Sequence, residues 1–320
     1  MRALFFGTPA IAVPALSSLA AIAEVVGVVC QPDRPRGRGL ELAPPPVKIR
    51  ATELHIPVAQ PTKIRTPEFA EWVRAADADV ALVIAYGRIL PPAVLSAPRR
   101  GCMNLHASLL PKYRGAAPIT WALVNGEAET GISLMQMDEG MDTGPVFTRH
   151  AIPIGPETTA DELALDLGRL AAHVVRTDLA RAVRGEILAE PQDHAEATMA
   201  RMLEKEDGRI DFARPARAVH DHIRGMTSWP GAFTTAQGKT LKVLESHVLH
   251  GAEPAATARP GAVIGTTKKA IEVACSTGVL QILRAQIEGR RPLTAAELVA
   301  GRTIQPGMIL GEVPPPTPIA

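Results

Sequence analysis

The chain has 320 residues, enough for two domains, and its 46% hydrophobic content marks a packed globular protein. A formal net charge of +1 supplies no global field to recruit a polyanion, so any nucleic-acid contact has to come from a local patch. Three widely spaced cysteines, Cys30, Cys102 and Cys275, exclude a disulfide framework and fit a reducing compartment, and no run approaches the ~20 apolar residues of a membrane span.

The N-terminus enters a strand pattern directly, so no signal or transit peptide is expected and the cytoplasm is the expected compartment. Ala3 to Phe6 is a short apolar run ended by Gly7-Thr8-Pro9, followed by a helical stretch from Val13 to about Ala23. Val25 to Cys30 reads as a second buried strand, Val80 to Ala85 as a third and Cys102 to His106 as a fourth. Continuous apolar strands alternating with helices predict α/β architecture: a parallel sheet covered on both faces. Ligands of such sheets bind outside the carboxyl ends of the strands, where Gly7-Thr8, Gln31-Pro32, Tyr86-Gly87 and His106-Ala107 all lie. The first of these loops lacks the G-x-G-x-x-G spacing that lets backbone approach a pyrophosphate, which counts against a nicotinamide dehydrogenase.

Gln31 to Lys48 is long for a connection, and its prolines and glycines exclude a regular element over most of it. Arg34, Arg36, Arg38 and Lys48 stand there against two acids, Asp33 and Glu41. A solvated surface loop is the plain reading; a basic loop at a crevice mouth also suits a phosphate backbone.

The fourth strand carries the densest chemistry. Side chains alternate along a strand, so Cys102, Asn104 and His106 share a face. Asn104 and His106 lie roughly 6.6 Å apart at ~3.3 Å per residue, close enough to converge on one small group. An amide donor beside an imidazole suits an oxygen that gains negative charge during reaction. The alternative is a polar strand end bonded to nearby backbone. A thiol nucleophile is disfavoured, because Cys102 and His106 are roughly 13 Å apart at ~3.3 Å per residue.

Gly131 to Asp138 reads as another strand, running into Glu139-Gly140-Met141-Asp142-Thr143-Gly144. A carboxylate from this loop beside His106 would stabilise the imidazolium, although acids between glycines also simply make turns. Thr159, with Glu162 three residues on, opens a helix with an apolar stripe of Leu163, Leu167, Leu170 and Val174, and Gly185 is its stop. Ala218 to Met226 is predicted helical; His220 and His222 fall on different faces, so no metal pair is expected. Beyond Trp229-Pro230-Gly231, short strand-like runs at 232–235, 241–244, 262–266, 271–274 and 279–285 precede a small helix from Thr294, capped with Glu297 and ended by Gly301. Several short strands plus one helix predict a small barrel of OB type. The domain reading is 1–190, a linker over 191–206, and 207–320.

The runs Asn104–Pro118 and Gly131–Gly144 closely resemble the methionyl-tRNA formyltransferases of the folate-dependent formyltransferase family. So do Phe6-Gly7-Thr8-Pro9, Gln31 to Pro35 and Ala85 to Pro91, and the likeness covers nearly the whole chain. The resemblance implies a Rossmann-like formyltransferase domain followed by an OB-like domain. It implies 10-formyltetrahydrofolate as donor and the α-amine of methionyl initiator tRNA as acceptor; no metal is needed for such a transfer, and no membrane association and no obligate protein partner are expected, so the chain is expected to be a monomer. Carried onto this sequence, Asn104, His106 and Asp142 are catalytic. Arg88, Ile89, Leu90, Ser108, Leu109, Leu110, Pro111 and Asp138 bind folate; Arg34, Arg36, Arg38 and Lys48 bind tRNA. The family commonly carries lysines after Gly-Arg-Gly in the basic loop, where Leu40 and Glu41 stand here. Related enzymes acting on a nucleotide sugar or purine precursor are the alternative, and a non-catalytic tRNA- or folate-binding module is a third.

Overall fold

A computed structural model describes residues 1–36, the last of them in backbone only, and 41–312. In chain order the elements are β1 (Arg2–Gly7), α1 (Val13–Ile22), β2 (Glu24–Val29), β3 (Arg34–Arg36), β4 (Glu41–Ala43), α2 (Pro46–Glu53), β5 (Val58–Ala59), α3 (Pro67–Ala75), β6 (Val80–Ile84), α4 (Pro92–Leu95), β7 (Cys102–His106) and β8 (Arg114–Gly115). There follow α5 (Pro118–Val124), β9 (Glu129–Gln136), β10 (Val146–Pro153), α6 (Ala160–Val174), α7 (Ala180–Val183), β11 (Met199–Ala200) and α8 (Ala216–Gly225). The last are β12 (Phe233–Ala236), β13 (Lys239–Leu249), β14 (Val263–Thr266), β15 (Ile271–Ala274), β16 (Val279–Ile287), β17 (Leu293–Thr294) and α9 (Ala295–Ala300). They pack as two units. The first comprises Met1–Pro118, Glu129–Pro153 and Glu162–Arg201; the second comprises Ile119–Ala128, Ile154–Asp161 and the chain from Met202 onward.

The first unit is built on a seven-stranded sheet of order β10-β9-β7-β6-β1-β2-β5. The strands β7, β6, β1, β2 and β5 run parallel. The apolar runs of β6 and β7 are buried throughout, which is why no polar alternation marks them. The chain runs from β1 outward through β2 and β5, then returns to place β6 on the other side of β1. That reversal between β1 and β6 is the topological switch point, where an open sheet leaves a crevice. The sheet is not wholly parallel: β9 is antiparallel to β7, and β10 to β9. The 137–145 connection is too short for a crossover, so β10 folds straight back.

Three sequence expectations change. The basic stretch does form a regular element, a hairpin in which Arg34 pairs with Ala43 and Arg36 with Glu41. Its turn, including Arg38 and Leu40, lies outside the described residues, and Lys48 stands on α2 rather than in the loop. The helix expected from Thr159 to Gly185 is interrupted by a π turn over Val175–Leu179 before it resumes as α7. The stretch expected as a linker is structured in part: β11 pairs in parallel with β8, and Gln192 is buried.

In the second unit, β12-β13-β16-β15-β14 form an antiparallel curled sheet with β17 added to β16, an OB-like half-barrel. Val219 and Ile223 of α8 share its core with Leu241, Val243, Leu280 and Ile282. Thr294 and Glu297 form the expected capping box on α9.

Candidate active site

The crevice loops are cross-tied at the switch point. Thr8 Oγ1 donates to the Tyr86 carbonyl at 3.3 Å, and Gln31 Nε2 donates to the same carbonyl at 3.2 Å. Arg88 Nε donates to Gln31 Oε1 at 3.1 Å and its Nη1 to the Thr62 carbonyl at 2.8 Å, so Arg88 staples the crevice mouth. Beside it, Ile89 and Leu90 line a cavity of about 1100 Å3 together with Arg65, Arg74, Pro91 and Glu139. Ile89 is exposed and Leu90 buried.

On β7, the alternation places Asn104 and His106 as the sequence predicts. Both are nearly buried, and both face Asp142: Asn104 Nδ2 lies 3.5 Å from Oδ1, and His106 Nδ1 lies 3.5 Å from Oδ2. His106 Nε2 sits 2.9 Å from the Tyr113 carbonyl. A carbonyl only accepts, so Nε2 carries a hydrogen, and Nδ1 can donate toward Asp142 only when the ring is cationic. The second amide hydrogen of Asn104 has no partner among the described residues. Cys102, on the same face, is core: its Sγ donates to the Val94 carbonyl at 3.7 Å, and burial pushes the thiol up to about 12. A thiol that stays protonated is no nucleophile.

The backbone of the loop after β7 is held by side chains, its own Ser108 and, from β9 and β10, Ser133 and Arg149. Ser108 Oγ donates to the Lys112 carbonyl at 2.6 Å, Ser133 Oγ donates to the Ser108 carbonyl at 2.7 Å, and Leu110 N donates to Ser133 Oγ at 3.0 Å. Arg149 Nε donates to the Leu110 carbonyl at 2.6 Å, and the Leu110–Pro111 peptide is cis. Leu110 packs with Met135 and Val146, so Ser108 and Leu110 face inward; Leu109 and Pro111 are half-buried. Asp138 Oδ1 accepts from Gly140 N at 3.0 Å and Thr143 Oγ1 at 2.8 Å, closing the loop that presents Asp142. In the basic hairpin, Arg34 is exposed and borders a smaller cavity of about 520 Å3 with Pro44 to Pro46. Lys48 pairs with Asp33 at 2.7 Å, and Gln60 also donates to Asp33 at 2.7 Å; these bonds hold the Asp33 carboxyl below the usual range. The side chain of Arg36 and all of Arg38 lie outside the described residues.

Comparison with known proteins agrees in both halves. Residues 2–175 match the family described as formyl transferase, and residues 202–303 match the formyl transferase C-terminal domain. A methionyl-tRNA formyltransferase of Sorangium cellulosum (strain So ce56) is 70% identical over 311 residues, 97% of this chain and 100% of that protein. The chain belongs to the methionyl-tRNA formyltransferase family.

The namesake in Myxococcus xanthus (strain DK1622) is 45% identical over 306 residues, 96% of each chain. Among solved structures, the methionyl-tRNA formyltransferase from Clostridium thermocellum superposes with a TM-score of 0.56 at 16% identity, covering 79% of this chain and 95% of that one. A sugar 3N-formyl transferase, WlaRD, solved in the presence of dTDP and 5-N-formyl-THF, superposes with a TM-score of 0.67 at 16% identity over 91% and 99%. At that identity both structures speak for the fold alone, so the sugar-enzyme reading rests on a distant likeness.

Four residues of this methionyl-tRNA formyltransferase family member were given no role by sequence reasoning and touch the site. Tyr113 supplies the carbonyl for His106. Gly115 N donates to Asp142 Oδ2 at 2.8 Å. Its φ is +118, and a Cβ there would meet the Ala200 carbonyl at 2.7 Å, so only glycine lets β11 approach. Arg114 and Gln192 are buried beside it. The first three lie inside the family-like run 104–118; Gln192 carries no local signal.

Proposed function

We propose that this chain transfers the formyl group of 10-formyltetrahydrofolate to the α-amine of methionyl initiator tRNA, at Asn104, His106 and Asp142. The observation that carries the reading is the convergence of an amide, an imidazole and a carboxylate at the end of β7, next to the sheet's switch point. The large cavity bordered by Ile89, Leu90 and Glu139 has the size and apolar lining suited to a pterin. Arg88, Ser108 to Pro111 and Asp138 support that site by fixing the loops around it.

The donor supplies an activated formyl carbon. The acceptor must arrive as the neutral amine, which is accessible because an α-amino group titrates near ~8. As the amine nitrogen bonds to the formyl carbon, the carbonyl oxygen becomes an oxyanion. Asn104, with an amide hydrogen to give, and cationic His106 stabilise that charge. Asp142 orients the His106 ring and relays the amine's proton toward the N10 nitrogen as the C–N10 bond breaks. Arg34, Arg36 and Arg38 of the basic stretch grip the acceptor stem, and Lys48 is held nearby by Asp33. The setting is the cytoplasm, and the enzyme acts as a monomer.

The test is formyl transfer from labelled donor to three acceptors: charged initiator tRNA, free methionine ester and an amino nucleotide sugar. Label in the aminoacyl-tRNA alone is the expected result. Label in the nucleotide sugar, with none in tRNA, would overturn it.

A further inference from the structure

We infer that Gln192 is a positioning residue that fixes Asp142 against His106 and Asn104 by clamping the backbone of the Asp142 loop. The inference rests on the catalytic reading of Asp142 given above. Asp142 has φ +54, a left-handed conformation that a non-glycine residue keeps only where its surroundings fix it. Two groups do so. Gly115 N holds the carboxylate, and the Gln192 side chain holds the main chain: Nε2 donates to the Asp142 carbonyl at 2.8 Å and to the Gly144 carbonyl at 2.7 Å. The other end of the amide is filled as well. Gln192 Oε1 accepts from Arg114 Nε at 3.1 Å and from Arg114 Nη2 at 2.7 Å.

Every hydrogen-bonding capacity of this amide is used, at 6% residual exposure. The pattern also fixes its orientation, because two carbonyls require the NH2 and a guanidinium requires the oxygen. No other side chain of that length satisfies both ends at once. A carboxylate would suit Arg114 and repel two carbonyls; an apolar chain would leave the guanidinium and both carbonyls without partners. The clamp is anchored on either side of Gln192. Val146 N donates to the Glu190 carbonyl at 2.8 Å before it, and Tyr113 N donates to Thr198 Oγ1 at 2.9 Å after it. Arg114 Nη1 lies 3.1 Å from His194 Nδ1, so the guanidinium is itself oriented. A stretch with the composition of a linker thereby sets the position of a catalytic carboxylate.

The test is a double-mutant cycle in the full-length enzyme with Gln192→Glu and Asp142→Asn. Gln192→Glu retains a partner for Arg114; Gln192→Asn, which keeps both amide functions on a chain too short to reach both ends, is the second variant should the first not fold. Displacing a catalytic group by about 1 Å can cost about 10²-fold, and that loss of kcat is expected of Gln192→Glu with the KM values for donor and tRNA nearly unchanged. A residue needed only for stability would lower the melting temperature and leave kcat alone. Because Gln192 acts through Asp142, the double variant should be no slower than Asp142→Asn by itself. Wild-type kcat in folded Gln192→Glu and Gln192→Asn, or losses that multiply in the double variant, would overturn the positioning role while Asp142 stays catalytic. Full activity in Asp142→Asn would instead remove the reading of Asp142 on which the clamp depends.

Discussion

Asn104 shows how far one side chain can be argued. Its amide faces Asp142 at one hydrogen and has another to give, beside a ring that carries charge only as a two-sided donor. Losing one preorganised oxyanion donor lowers kcat by about 10²–10³-fold, and Asn104→Ala should do so with donor affinity unchanged. Steady-state kinetics alongside a direct folate-binding titration checks this; a rate within about twofold of wild type would take Asn104 out of the mechanism. At this scale the sequence was partly legible. Period-two alternation alone brings Asn104 and His106 to one face, because strand geometry is local. Asp142 comes from another strand's loop, and only the family resemblance pointed to it. Gln192 was not legible: a glutamine after a single proline looks like any polar linker residue until tertiary contact gives it four hydrogen bonds to three residues.

Elements were legible where one local rule decided them and obscure where two competed. The capping box of α9 and the buried runs of β1, β6 and β7 follow from side chains a few residues apart. The β3–β4 hairpin contradicts its composition: Pro35 and the nearby glycines argue for irregular chain, yet three cross-strand pairs form. The π turn at Val175–Leu179 is invisible to a 3.6-residue count, and it carries Asp178 to within 2.6 Å of His150 Nε2. Helix α8 supplies a prediction at this scale. His220 is buried among Ser246, Glu157 and the Pro156 carbonyl, with Arg217 and Asp221 near; His222 is buried near Arg214, Asp207 and Asp211. Burial pushes both histidines down. As pH falls below ~6.5 the unfolded chain therefore binds protons first, and stability present above that value is lost progressively toward the lower folded values. The melting transition of the second unit should drop between pH 7.5 and 5.5. A change of ~1 kcal/mol moves a domain of about this size by roughly 4 °C. The variant carrying His220→Gln and His222→Gln should flatten that dependence; an unchanged acid slope in it would show that other groups set the pH response.

For the whole molecule, the near-zero net charge matters most. With +1 overall, attraction for tRNA has to be concentrated, and the run Arg34 to Arg38 is the sequence's densest basic stretch near the crevice. Each phosphate contact removed should flatten the dependence of log affinity on log salt by about 0.7–0.9. Binding isotherms of tRNA at several salt concentrations for Arg34→Ala and Arg38→Ala should show that loss with folate affinity intact; slopes equal to wild type would move RNA contact off the hairpin. The two-unit plan, an α/β unit followed by an OB-like unit, was legible because it rests on periodicity and order along the chain. The chain's excursions at Ile119–Ala128 and Ile154–Asp161, which pack with the second unit, were not, since nothing local distinguishes them from their neighbours.

The central claim, that formyl transfer is carried out by Asn104, His106 and Asp142, is tested most directly by one single-turnover measurement. Enzyme in excess, saturated with donor, is mixed with methionyl initiator tRNA, and the first-order rate of N-formylation is followed for wild type and Asp142→Asn. A positioned acid or base contributes typically 10²–10⁴-fold, so the variant should transfer formyl slower by about that factor, with donor and tRNA still bound and the melting temperature retained. Equal single-turnover rates in the two proteins would contradict the assignment.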